Sequence, residues 1–245
     1  MSESVPDVPG VITAFALPDP DKEAIAKGCL LDRPGLLFLR QRETHAGDPA
    51  TWTWSLGDGY PKGGVYYGKR WPSYGGRLEK LSAAFIRNGE PWFVVGDAGA
   101  YQVLKPMPPE KRKGKEWHRC PPVPLKWGEA FARDLPAGDK VDAAAELLGG
   151  WVALFSGGRY CVVPLVGTED VPDDFQVTFK DLFPAVRVQA ALPDPDPVDP
   201  HARPTHKLCV HDGKTWQSLG WTCDKDGDGN YVWKTFTVHG PSGPV

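Results

Sequence analysis

No apolar run in this 245-residue chain approaches the length needed to cross a bilayer, which excludes a helical membrane span. Charge of one sign is not in excess either. The formal net charge is −3, with no basic surplus to attract nucleic acid or an anionic membrane. The one basic cluster, KRKGK at Lys111–Lys115, reads as a solvated loop. Cysteine is sparse and odd in number, at Cys29, Cys120, Cys161, Cys209 and Cys223, with no C-x-x-C pair. The opening MSESVPDVPG has no charged region followed by an apolar core. The expectation is therefore a cytoplasmic protein with reduced thiols, non-classical secretion being the alternative. A bridge between Cys209 and Cys223 across a hairpin stays open at this level. Catalytic signatures are missing too: there is no G-x-S-x-G, no H-E-x-x-H, no P-loop and no G-x-G-x-x-G between a strand and a helix. His118 and Cys120 are a thiol–imidazole pair in sequence only, a weak lead toward covalent catalysis.

What the chain has is glycine (28), proline (26) and tryptophan (10), the composition of a turn-rich, aromatic β-protein and not of a helical bundle. It also repeats. VDAAAELLGGWVALFSGGRYCVV, from Val141, has a near twin in LSAAFIRNGEPWFVVGDAGAYQVL, from Leu81. Both run from a small-residue head through a glycine turn to an aromatic strand, then through a second turn to another strand. The head recurs as ITAFALPDPD from Ile12 and VQAALPDPDP from Val188, each followed by a longer insertion before the expected strands. Strands are predicted at Leu36–Leu39, Thr51–Trp54, Trp92–Val95, Tyr101–Leu104, Trp151–Phe155 and Tyr160–Val163. Gly157-Gly158 and Asp212-Gly213 serve as hairpin turns.

Four β-units that each open on small residues predict a radial arrangement, because the innermost strands of a propeller crowd one axis. With four blades that axis is narrow, and alanine answers the steric demand. A short helix at Ala143–Leu148 competes for that copy alone. It fails at Ile12 and Val188, where Pro18, Pro20, Pro193, Pro195 and Pro197 would break it.

The order apolar–Asp–Ala–Ala, glycine turn, aromatic strand and Gly–x–x–Tyr resembles the hemopexin repeat. VDAAAELLGGWVALFSGGRYCVV, with VPDDF and DLFP following, carries the match best, and the copy at Leu81 is the second. The resemblance implies an all-β, four-bladed, hemopexin-like β-propeller over residues 1–245, with blades at about 11–78, 79–138, 139–185 and 186–240. It also implies an axial tunnel that holds ions. Thr13, Ser82, Asp142 and Gln189 occupy equivalent positions, and a ring of such oxygens suits Ca²⁺, Mg²⁺ or Na⁺. The departures are the loss of Asp at three of these positions and the absence of cysteine near either end.

Other candidates stand beside the axis. DKDGDGNY at Asp224–Tyr231 matches the start of a calcium loop, but Thr235 replaces the acid expected at its twelfth position, and a hairpin connector is favoured. His201, His206, His211 and His239, with Cys209, are candidates for a transition metal or a heme iron, solvated histidines being favoured. The segment YPKGGVYYGKRWPSYGGR sets aromatic rings among cations, and Tyr66, Tyr67, Arg70, Trp71 and Tyr74 are its candidate ligand-binding residues.

The expected function is non-enzymatic binding of a small molecule or carbohydrate on the propeller face, with no nucleic-acid partner. The alternative is a cofactor-independent cyclase or isomerase of secondary metabolism with its pocket at the tunnel mouth. An assembly component of a larger particle, signalled by a broad apolar face, ranks third.

Overall fold

The computed structural model describes residues 11–18, 25–32, 37–43, 51–56, 73–78, 80–169, 171–182, 185–193, 206–212, 216–225 and 231–239, with side chains chiefly within 73–191. Four four-stranded antiparallel sheets follow one another along the chain. The first holds β1 (Val11–Pro18), β2 (Ile25–Asp32), β3 (Leu37–Glu43) and β4 (Thr51–Leu56). The second holds β5 (Leu81–Arg87), β6 (Glu90–Val95), β7 (Gln102–Lys105) and β8 (Val123–Lys126). The third holds β9 (Ala143–Glu146), β10 (Trp151–Ser156), β11 (Arg159–Pro164) and β12 (Lys180–Asp181). The fourth holds β13 (Ala190–Pro193), β14 (His206–His211), β15 (Trp216–Lys225) and β16 (Tyr231–His239). In each sheet the strands pair in chain order.

Local chemistry accounts for the third sheet. Gly157-Gly158 joins β10 to β11 as a two-residue hairpin, with Ser156 opposite Arg159 and Gly157 at φ +60°. The three alanines at Ala143–Ala145 form a strand, not a helix. Gly149 and Gly150 both take positive φ and break any helical run, while the Leu147 N–H donates to the Trp151 carbonyl at 2.7 Å and starts the return. Alanine is a poor strand former, so packing decides. Ala143 lies opposite Phe155 and Ala144 opposite Leu154.

Alternation then sorts the side chains. Ala144, Val152, Leu154, Cys161 and Val163 pack with Ala83, Phe85, Val94 and Val103 of the second sheet. Ala143, Ala145, Trp151, Ala153 and Phe155 pack with Ala191, Leu208, Val210 and Leu219 of the fourth. The third sheet is thus covered on both faces. Burying each large apolar side chain contributes about 1.5–3 kcal/mol.

The four head segments supply the opening strands of the four sheets. β1 neighbours β5 and β13, and β9 neighbours β5 and β13, so these strands close a circuit. β1 and β9, on opposite sides of it, come within 8 Å at Cα. That spacing leaves little room for more than a methyl group, which is why alanine recurs.

One open question is settled by register. Cys209 lies opposite Ser218, and Cys223 opposite Trp233. At about 3.3 Å per residue, Cys223 stands roughly 17 Å along the ladder from Cys209's partner, too far for a disulfide. The Asp224–Tyr231 stretch spans the end of β15 and the start of β16, which pair antiparallel with Lys225 opposite Tyr231. Its central residues lie outside those described. Among the described residues no helix is long and apolar enough to cross a membrane.

Candidate functional site

Among the described residues, a concavity lies where the second sheet meets the loop leading into the third. Tyr101, at the threshold of β7, directs its phenol toward the next sheet, and its hydroxyl accepts a 2.9 Å hydrogen bond from the Val141 N–H. Burial raises its ionisation above the usual phenol range, so it serves as a neutral group. Its ring lies 6.0 Å from that of Trp127, which in turn stacks on the buried Phe131 at 4.3 Å. Trp127 opens a single helical turn at Trp127–Ala130 and donates its indole N–H to the Arg133 carbonyl at 3.0 Å.

Arg133 fastens the loop from beneath. Its guanidinium donates to the carbonyls of Phe175 at 3.1 Å, Pro172 at 2.9 Å and Ala132 at 2.9 Å. From there the loop turns through Asp134, Leu135 and Pro136 to Asp139, whose N–H returns to the Pro136 carbonyl at 3.3 Å. Asp139 is held by the Arg159 guanidinium, whereas Asp134 stays exposed. Together Gly99, Tyr101, Trp127 and the Asp134–Asp139 loop enclose a cleft of about 350 Å³. An aromatic wall faced by two carboxylates can stack on the apolar face of a sugar ring while accepting hydrogen bonds from its hydroxyls.

None of the ligand-binding residues expected from sequence is among the described residues lining this cleft. Tyr66, Tyr67, Arg70 and Trp71 lie outside the described residues. Tyr74 is corrected: it is fully buried, edge-on to Phe93 and Trp117 with both centroids at 5.6 Å, so it belongs to the core and offers no surface to a ligand. Its hydroxyl is buried without a hydrogen-bond partner, and burial raises its ionisation beyond the usual phenol range. Tyr74→Phe is therefore expected to stabilise the protein by about 1 kcal/mol, because it removes an unsatisfied polar group. A thermal melt should rise by about 2–4 °C.

Of the four oxygens expected around an axial ion, two have described partners, and both partners are turns. The Ser82 hydroxyl donates to the Gly96 carbonyl at 3.1 Å, just past the end of β6. Asp142 accepts the Gly157 N–H at 2.7 Å, just past the end of β10. Each ties the head of its sheet to the turn after the second strand. Gln189 is half-buried just before β13, and the side chain of Thr13 lies outside those described. Among the described residues, no group of three or more His, Cys, Asp and Glu could hold a metal. The side chains of the four histidines His201, His206, His211 and His239 lie outside those described. His118 pairs with Glu116 at 3.2 Å and Cys120 is buried. Val166 is the one exposed large hydrophobic residue among those described.

Sequence reading missed the cleft. DLPAGDK offered a signal, two carboxylates in a proline–glycine loop just before the third repeat, but only the fold brings that loop against Tyr101 and Trp127. It also missed Arg112, which sits inside the basic cluster yet is buried on Glu90, while Lys111, Lys113 and Lys115 are exposed as expected.

No family model matches the chain, and no curated protein matches it either. Solved structures do. The chain is similar to a 2S albumin seed protein from Dolichos, with 15% identity, 95% of this chain and 94% of that one covered, and a TM-score of 0.48. It is similar to the hemopexin fold protein CP4 from cow pea, with 13% identity, coverages of 94% and 93%, and a TM-score of 0.45. A plant albumin from Cicer arietinum showing hemagglutination gives 12% identity, coverages of 94% and 91%, and a TM-score of 0.50. At such identity the likeness to the last is one of fold: a mostly β chain of the same overall course as a plant albumin.

Proposed function

We propose that this protein is a non-enzymatic binding protein, a hemopexin-like four-bladed propeller that takes a glycan in the cleft formed by Tyr101, Trp127 and the Asp134–Asp139 loop. Four consecutive sheets whose opening strands form a circuit support the propeller reading. The observation that carries the binding reading is the cleft itself. Its volume of about 350 Å³ suits one or two sugar rings, and its walls pair two mutually tilted aromatic rings with carboxylate acceptors. That the Cicer arietinum albumin shows hemagglutination is a statement about that protein, and it makes sugars the first ligands to try.

The test is a glycan array followed by titration of the best hit against the intact protein and two variants. Trp127→Ala should weaken binding at least about tenfold, and Asp134→Asn by a smaller factor, as befits an exposed acceptor. Asp134→Asn leaves packing untouched, so it reports on binding even if Trp127→Ala loosens the loop. An array without hits, or a hit indifferent to both changes, sinks the reading.

A further inference from the structure

Across the gap between the second and third sheets, at the end of β9 far from the Tyr101–Val141 contact, two charged residues continue otherwise apolar rows. On β5, Ala83 and Phe85 face the third sheet, and Arg87 is next in that row. On β9, Ala144 faces the second sheet, and Glu146 is next. Arg87 holds its guanidinium over the Trp92 ring at 5.6 Å, with Lys105 Nζ 6.0 Å from the same ring. Its Nη1 is buried and has no hydrogen-bond partner, Glu146 included. A buried guanidinium nitrogen without an acceptor is costly, and it marks the place where an acceptor is wanted.

We propose that Arg87 and Glu146 form a binding site for a small monocarboxylate. The ligand's carboxylate accepts from Arg87 Nη1 and from the protonated carboxyl of Glu146, with the indole of Trp92 alongside for an aryl or short alkyl group. This site is separate from the glycan cleft and does not depend on it.

The electrostatics agree. Burial raises Glu146 to a pKa of about 7, against the opposing attraction of Arg87. Few other charges face it among the described residues. The neighbouring opening strands β1 (VITAFALP) and β13 (AALP) and its ladder partner β10 (WVALFS) contain no charged or titratable side chain. Glu90, across the hairpin from Arg87, is taken by Arg112, and Lys105 lies on Trp92. Below about pH 7 Glu146 carries a proton to donate; above it, two carboxylates would face each other. Binding therefore takes up a proton and weakens as pH rises through that value.

Acetate and benzoate are the probes, titrated into the full chain at about pH 5.5 and about pH 8.5 at fixed ionic strength, with calorimetry as the readout. Affinity should be at least about tenfold tighter at the lower pH, benzoate exceeding acetate. Glu146→Gln, which donates at both pH values, should remove the pH dependence and keep the binding. Arg87→Lys, which keeps the charge but loses the fork, should abolish binding without changing the melting temperature by more than about 2 °C. No binding, equal affinity at both pH values in the parent, survival of binding in Arg87→Lys, or equal affinity for chloride would each overturn the proposal.

Discussion

Arg112→Ala is expected to destabilise the protein by about 3 kcal/mol, near the lower end of the range for breaking a buried ion pair. The Arg112 guanidinium meets both oxygens of Glu90 and donates through Nε to the Met107 carbonyl. Its side chain is 9% exposed and that of Glu90 26%, so the pair is shielded but not sealed, and the expectation sits at the low end for that reason. Truncation leaves the Glu90 carboxylate half-buried without its cation and strands the Met107 carbonyl. The loop that carries Arg112 also places Trp117 on Tyr74 and Phe93, so its release should loosen that aromatic cluster. Urea denaturation measures the loss. Removing both charges in Arg112→Met with Glu90→Gln should recover part of it, since no orphan charge then remains. A loss below about 1 kcal/mol would mean that the pair behaves as a surface contact.

Ala144→Phe is the second large effect, at about 3 kcal/mol or more. Ala144 is fully buried, opposite Leu154 on β10 and packed toward Ala83 and Phe85 of the adjacent opening strand β5. Overpacking a well-filled core costs about 1–3 kcal/mol, and more where the backbone cannot yield. Here β9 is held between β5 and β13, so neither side can retreat. The exposed Ala98 provides the comparison, because Ala98→Phe should change stability by no more than about 0.5 kcal/mol. Equal melting temperatures for the two variants would remove the steric account of the alanines, and with it the main support for a narrow axis.

Much of the fold was legible because its signals are local. The glycine pairs at Gly149-Gly150 and Gly157-Gly158 punctuate the third sheet, and aromatic, β-branched runs mark β4, β6, β10 and β11 to within two residues at each end. The alanine heads were read as strands from repetition, and burial on both faces shows why a weak strand former is used there. The sites were harder to read because they depend on which faces meet. Arg112 stands among lysines in the sequence, yet it alone turns inward, because Glu90 waits 22 positions earlier. Arg87 and Glu146 are separated by a whole sheet in the chain and come together only when β5 lies beside β9. Tyr74 looked like a binding residue from its polar, glycine-rich setting, and nothing local announces that Trp117 will cover it. Asp142 was read as a candidate ion ligand from its place in the repeat, and its hydrogen bond from the Gly157 N–H is visible only in the fold.

Because every ladder joins strands that follow one another in the chain, each sheet can assemble from its own stretch of sequence without waiting for distant partners. Such pairing keeps contact order low for an all-β protein and should favour rapid, sheet-by-sheet folding. Among the described residues, the join of β1 to β13 spans the longest stretch of polypeptide, β1 and β9 also meet, and no ladder pairs a strand of the first sheet with one of the last. The seam is therefore the last place to form and the first to part.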